Sequence, residues 1–106
     1  MTTQTVLLNA LARHQGRESG INARDLAAQL GVPVRQLRKL ISAAREEGFA
    51  ICGLPSTGYY MAQTPEELEA SCAFLEHRAM HSLRKLSRMK KVALPVLLGQ
   101  LLLSKA

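Results

Sequence analysis

The sequence predicts a mainly α-helical protein with a small β-hairpin wing, that is, a winged helix-turn-helix followed by a long C-terminal helix. Residues 23–30 and 34–47 carry two short helical patterns joined by a turn that contains glycine, an arrangement typical of helix-turn-helix motifs. Two apolar runs rich in strand formers, 49–52 and 59–62, flank a loop of turn residues and predict the hairpin. The remaining chain has no helix breaker before Pro95, which predicts a fourth helix of about 28 residues.

The first helix is predicted over residues 5–14, where apolar residues recur at helical spacing and Thr5 is suited to be the N-cap. A polar loop with two glycines, 15–20, follows it. Ile21 is predicted to be extended, and Asn22 is predicted to cap the second helix, because its side-chain oxygen can accept a hydrogen bond from a free N–H of the first turn.

The turn between the second and third helices has a residue suited to each position. Gly31 can adopt the positive φ that is favoured just after a helix, and Pro33 fits the first turn of the third helix, where its missing N–H is not needed. Gly48 is predicted to end the third helix. The predicted core consists of Leu26, Leu30, Leu37, Leu40, Ile41, Ala44 and Ile51.

The fourth helix has a clear N-terminal signal, because Thr64 is a good N-cap, Pro65 suits the first helical position, and two acids follow. Apolar and small residues then alternate at spacings of four and three, which is the pattern of a coiled coil. We call this line of residues the seam and predict that it pairs two copies into a homodimer. The residues predicted to dimerise are Leu68, Cys72, Leu75, Ala79, Leu86 and Met89, with Ser82 and Ala93 completing the seam.

A second arrangement of this region is also open. The small seam residues Cys72, Ala79 and Ser82 would allow residues 96–103 to form a short fifth helix that folds back over the seam after a bend at Pro95. The division into domains is predicted to lie between a winged helix, 1–62, and the dimerising or partner-docking segment that follows it, 63–106.

Residues 5–61 resemble the winged helix-turn-helix domain at the N-terminus of the biotin protein ligases that also repress the biotin operon. The motifs that carry the resemblance are Leu-Gly-Val at 30–32, Arg-Glu-Glu-Gly at 45–48 and Gly-Tyr at 58–59. The resemblance implies a DNA-binding winged helix. It does not imply ligase activity, because the sequence has no Gly-rich biotin-binding loop. The whole pattern is also similar to small phage or prophage proteins that carry this domain.

Charge and side-chain chemistry both favour DNA as the partner. The formal net charge is +6 and the isoelectric point is about 9.9, which favours a polyanion. Arginine and lysine read guanine or hold phosphate, and glutamine reads adenine. The alternative is that the basic residues of the third helix only form a solvated face and that the polar residues of the hairpin tip contact no DNA. The predicted contacts with double-stranded DNA are Arg24 at the second helix, Arg35, Gln36, Arg38, Lys39 and Ser42 on the third, and Ser56 and Thr57 at the wing tip.

A second basic group lies on the fourth helix, at residues 78–91. Arg78, His81, Lys85 and Arg88 recur at spacings of three or four and give one positive stripe. A solvated coiled-coil flank and a second DNA contact both account for it. Cations near a helix C-terminus also gain from the helix dipole, so the structural interpretation is preferred at this point.

Several classes of function are not expected. No catalytic set of side chains, phosphate loop or metal-ligand spacing is visible, so the protein is predicted not to be an enzyme and to need no cofactor or metal. Cys52 and Cys72 are predicted to be small buried hydrophobes in a reducing compartment. The longest apolar run, 92–103, is too short to span a membrane, and no signal peptide is visible. A cytoplasmic location is therefore expected.

Three functions are compatible with these features. The preferred one is a sequence-specific double-stranded-DNA-binding protein, most simply a small dimeric transcriptional regulator. The first alternative is a phage-type replication or recombination accessory protein that binds DNA through the winged helix and a protein partner through the C-terminal segment 92–103. The second is a protein-interaction adaptor that does not bind DNA. The outer side of the third helix disfavours the adaptor, because it carries donors and acceptors but no acids.

Overall fold

The computed structural model describes residues 3–104 and has the predicted fold class, mainly helical with one antiparallel hairpin and a long C-terminal helix. The chain forms two compact units, Met1–Cys72 and Ala73–Ala106, which divide within the long helix. The elements in chain order are α1 Thr3–Leu11, a 3₁₀ helix Arg17–Ser19, α2 Ala23–Leu30, α3 Val34–Glu46, β1 Ile51–Leu54, β2 Gly58–Met61, α4 Pro65–Lys90 and α5 Leu94–Ser104.

The core of the first unit lies where α1, α2 and α3 contact one another, with the hairpin against α1 and α3. Its buried apolar residues are Leu7, Leu11, Ile21, Leu26, Ala27, Leu37, Ile41, Ala44 and Ile51. Two residues predicted to be buried here, Leu30 and Leu40, are only half-buried and pack at the edge of this core. The burial of apolar side chains such as these is the main stabilising contribution in a small domain.

The ends of α2 are formed as the sequence predicts. The Asn22 side chain accepts a hydrogen bond from the Asp25 N–H at 2.8 Å and so caps the helix. At the other end Gly31 has a φ of 69°, and this conformation brings the Val32 N–H to the Ala27 carbonyl at 3.1 Å. The turn therefore satisfies carbonyl groups that the helix itself leaves free.

Two predicted helix starts are wrong by a few residues. Thr5 lies inside α1, which already includes Thr3, and does not cap it. Pro33 has extended backbone and is the N-cap residue of α3, so the first helical residue is Val34. Its ring still fits there, because the N–H of an N-cap residue donates no intrahelical hydrogen bond and is not needed.

The exit from α3 sets the start of the wing. Gly48 has a φ of 97°, and the Phe49 N–H bonds back to the Ala44 carbonyl at 3.1 Å. Phe49 therefore belongs to the turn that closes α3 and not to the strand. The strands that were predicted at 49–52 and 59–62 are in fact Ile51–Leu54 and Gly58–Met61.

The hairpin is short and is extended by one further segment. Leu54 pairs with Gly58, so only three residues form the tip. Ile21 pairs with Tyr59 through two backbone hydrogen bonds of 2.9 and 2.7 Å, which confirms its extended conformation. Gly58 is required at this crossing, because its φ is 74° and an added Cβ would lie 2.4 Å from the Ile21 carbonyl oxygen.

The second face of the hairpin contacts the start of α4. Cys52 and Tyr60 are fully buried there, and the buried Ser71 hydroxyl accepts the Gly53 N–H at 3.2 Å. Burial raises the pKa of the Cys52 thiol, with a partly opposing effect of Ser71, so this thiol stays protonated and unreactive. Cys72, in contrast, is exposed, which corrects the prediction that both cysteines are buried.

The start of α4 is tied to the preceding loops. The Glu67 N–H donates to the Thr64 hydroxyl at 3.1 Å, which confirms the predicted N-cap. The Glu67 carboxylate accepts the Arg17 and Gln63 N–H groups, both at 2.8 Å. These backbone donors, the Arg17 N–H first, lower the pKa of Glu67 from its usual value of 4.5. The carboxylate therefore stays charged at neutral pH and joins the 3₁₀ helix to the beginning of α4.

The long helix ends earlier than predicted, because Lys91 takes a left-handed conformation with a φ of 55°. The Val92 N–H bonds to the Ser87 carbonyl at 3.0 Å, and the Ser87 hydroxyl donates to the Val92 carbonyl. The helix is thus closed at Lys91, four residues before Pro95, which lies in the first turn of α5. Among residues 3–104, no helix is both long and apolar enough to span a membrane.

The predicted fifth helix is present as α5, but the seam of α4 is not covered. Leu97 of α5 is fully buried, whereas Val96, Leu102 and Leu103 are 55%, 76% and 78% exposed. Along the seam Leu86 is half-buried, and the remaining residues predicted to dimerise are exposed, namely Leu68, Cys72, Leu75, Ala79 and Met89.

Candidate nucleic-acid interface

Helix α3 has one buried face and one face that is open to solvent. Leu37, Ile41 and Ala44 are the buried residues, and their spacing of four and three places them in one line along the helix. The opposite line is polar and carries a run of cations. We call it the reading face, and it consists of Arg35, Gln36, Arg38, Lys39 and Ser42, all of them exposed.

The geometry of the reading face suits a groove of DNA. Four of its residues have the spacing i, i+3, i+4 and i+7, so that they form a single stripe from Arg35 to Ser42, and Gln36 lies beside it. At a rise of 1.5 Å per residue this stripe is about 10 Å long. The B-DNA major groove is about 12 Å wide and admits one α-helix, so the stripe can present all of its side chains inside one groove.

The reading face is also electrostatically uniform. No acidic residue occurs between residues 26 and 45, and the nearest acids are Glu46, the last residue of α3, and its C-cap Glu47. Arg24 is exposed in the first turn of α2, in the part of a helix-turn-helix that crosses the DNA backbone. Asp25 beside it accepts a hydrogen bond from the Asn22 amide at 3.0 Å.

The wing differs from the reading face, because residues 49–62 contain no charged side chain. Ser56 is exposed at the tip, whereas Thr57 is half-buried. The Thr57 hydroxyl is within hydrogen-bond distance of the Leu54 N–H at 3.3 Å and of the Gly58 carbonyl at 3.0 Å. The hydroxyl of Thr57 thus stabilises the turn. The hydroxyl of Ser56 is on an exposed residue and is more accessible to a partner. Contact of either residue with DNA stays a prediction.

Arg45 has a structural role that the sequence does not reveal. Its Nε donates to the Ile51 carbonyl at 2.8 Å, across the turn between α3 and β1. The bond fixes the first residue of the wing against the helix that carries the reading face. In the sequence Arg45 is simply a basic residue in the last turn of a helix, where cations are generally favoured. Nothing in the surrounding sequence predicts its hydrogen bond with Ile51.

Comparison with known families gives one match. Residues 1–50 match a family described as the C-terminal domain of replication protein A. The match includes α1, α2 and the whole of α3 and stops before the wing. No curated protein and no solved structure matches the chain.

The match associates the N-terminal half of the chain with a winged-helix-like domain of a DNA replication protein. It lends no support to the resemblance to the biotin-operon repressors, although the winged-helix architecture that this resemblance implied is present.

Proposed function

We propose that this protein binds double-stranded DNA sequence-specifically and that the reading face of α3 enters the major groove. The observation that carries the proposal is the division of α3 into a buried apolar line and an exposed line of Arg35, Arg38, Lys39 and Ser42. Bidentate donors on a rigid helix are the usual means of reading base edges. In this arrangement we expect the exposed Arg24 and Ser56 to hold phosphates of the DNA backbone.

The same proposal is compatible with two biological settings. A small transcriptional regulator needs only the reading face and a second copy. A replication or recombination accessory protein also needs a protein partner, and the exposed leucines Leu102 and Leu103 of α5 offer an apolar contact for one. The family match of residues 1–50 favours the replication setting.

Selection from sheared genomic DNA with the purified chain tests the proposal. We expect a short common sequence to be enriched, and its position in the genome then separates the two settings, because an origin or recombination site indicates replication and a promoter indicates regulation. Recovery of fragments without any common sequence would contradict specific reading. Failure to retain DNA at all would favour the protein-interaction adaptor.

We further propose that two copies pair through the seam of α4. Leu68 and Leu75 are each 40% exposed and Met89 is 81% exposed, and apolar side chains at heptad spacing gain from pairing with a second helix. A dimer also contacts two half-sites on the DNA, which raises the affinity and specificity of a module that has a single reading helix.

Light scattering measures this pairing directly. We expect the mass of a dimer, and we expect Leu75→Asp with Leu86→Asp to give a monomer, because each carboxylate would be desolvated in the interface. Ala73→Asp with His77→Asp is the matched control, since both residues are exposed on α4 away from the seam. A monomer at every concentration of the unmodified chain would rule the dimer out, and a dimer that survives the double leucine change would place the interface elsewhere.

A further inference from the structure

The charge of this protein is concentrated in one of its two units. Residues 1–72 contain seven Lys and Arg and seven Asp and Glu, so the unit with the winged helix is formally neutral. Residues 73–106 contain seven Lys and Arg and one acid, Glu76, so they carry the whole net charge of +6. The first unit thus combines a local cationic face with no net charge, because the acids at the start of α4 offset its cations, and the net positive charge lies in the second unit.

Most of this charge lies on the C-terminal half of α4. We call the group the basic stripe, and every one of its side chains is exposed. No acidic residue is interleaved, since Glu76 precedes the group and no acid follows. Arg78 lies over the Phe74 ring, with its guanidinium carbon 5.8 Å from the ring centre, which favours a defined position for that side chain. The basic stripe consists of Arg78, His81, Arg84, Lys85, Arg88 and Lys90 on α4 and Lys91 directly after it, and Arg78, His81, Lys85 and Arg88 form its line along one side of the helix.

We infer that the basic stripe is a second, sequence-independent DNA contact that binds the phosphate backbone. The inference deepens the proposed function and rests on it. Residues 78 and 88 are ten apart on one continuous helix, which corresponds to about 15 Å of helix length. One strand of B-DNA places a phosphate about every 3.4 Å along its axis, so the stripe matches a run of about four phosphates.

The composition of the stripe favours nucleic acid over a lipid surface. Three of its cations are arginines, whose planar guanidinium groups bind phosphate oxygens in bidentate pairs. A helix that lies in a membrane interface requires a broad apolar face with large side chains to bury. Between residues 78 and 90 of α4 the one large apolar side chain that is exposed is Met89, and the exposed Ala79 and Ser82 are small. Phe74, which precedes the stripe, is half-buried beneath Arg78.

The salt dependence of DNA binding by the full chain tests the inference. Lys85→Gln with Arg88→Gln removes two exposed cations of the stripe, and the slope of log affinity against log salt should become shallower by about 1.8, since each phosphate contact contributes about 0.9. The loss of affinity should be the same factor on the selected sequence and on unrelated DNA, because phosphate contacts carry no sequence information. Arg13→Gln with Arg17→Gln, two exposed arginines of the neutral unit, is the control and should leave the slope unchanged.

The possible outcomes separate this inference from the proposed function. If the double variant binds DNA with the slope of the unmodified protein, the stripe is not a phosphate contact, and the proposed function stands. If the unmodified chain binds no DNA, both proposals fail together. Binding of the unmodified chain to vesicles that contain phosphatidylserine, lost in the double variant while DNA binding is unchanged, would assign the stripe to a membrane surface and overturn the inference.

Discussion

Reversal of Arg38 and Lys39 to glutamate is expected to abolish sequence-specific DNA binding while the fold stays intact. Both side chains are exposed at the centre of the reading face, so their replacement breaks no packing in the core. In a groove flanked by phosphates two carboxylates are repelled where two cations were attracted. Fluorescence polarisation on the selected sequence measures the loss, and any binding that remains should be the weak, sequence-independent binding of the basic stripe.

Arg13→Glu with Arg17→Glu is the matched control, because it makes the same change in net charge on exposed residues of the same unit. We expect it to weaken binding modestly at low salt and to preserve discrimination between sequences. If the specific complex survives reversal of Arg38 and Lys39, α3 is not the reading helix.

Leu37→Ala should lower the free energy of unfolding by about 2–5 kcal/mol, the usual cost of removing a fully buried leucine side chain. Leu37 is 0% exposed and lies on the face of α3 that contacts the core. Urea denaturation followed by circular dichroism measures the change.

Leu40→Ala is the control for this prediction, because the same residue type is half-buried on the same helix. Its cost should fall below that range, since less apolar surface returns to water and no closed cavity is left. Equal costs for the two variants would mean that the rotation of α3 about its axis is not the one described, and the reading face would then point elsewhere.

The sequence was sufficient where one residue decides a local conformation. The cap by Asn22, the left-handed Gly31 and the cap by Thr64 depend on side-chain or backbone properties of single residues. The division of α3 into two faces followed from helical spacing alone. Helical spacing therefore predicts the exposure of all five reading-face residues, and the structure confirms it.

Other features depended on contacts between distant parts of the chain. The sequence predicts that β1 begins at residue 49, because nothing in it shows that Phe49 bonds back to Ala44. The end of α4 was placed too late, since a left-handed lysine such as Lys91 has no sequence signal. The neutrality of the winged-helix unit was also hidden, because it appears only when the boundary is drawn after Cys72.

The most direct test of the central claim is a thermodynamic cycle between one reading-face side chain and one base pair. Arg35→Ala or Gln36→Ala should each be measured on the selected sequence and on a copy with a single base pair changed. If either side chain reads that base pair, the truncation should cost about 1–3 kcal/mol on the selected sequence and much less on the changed copy. An equal cost on every DNA, for both residues and every base pair of the selected sequence, would show that the face only holds phosphate and would contradict sequence reading by α3.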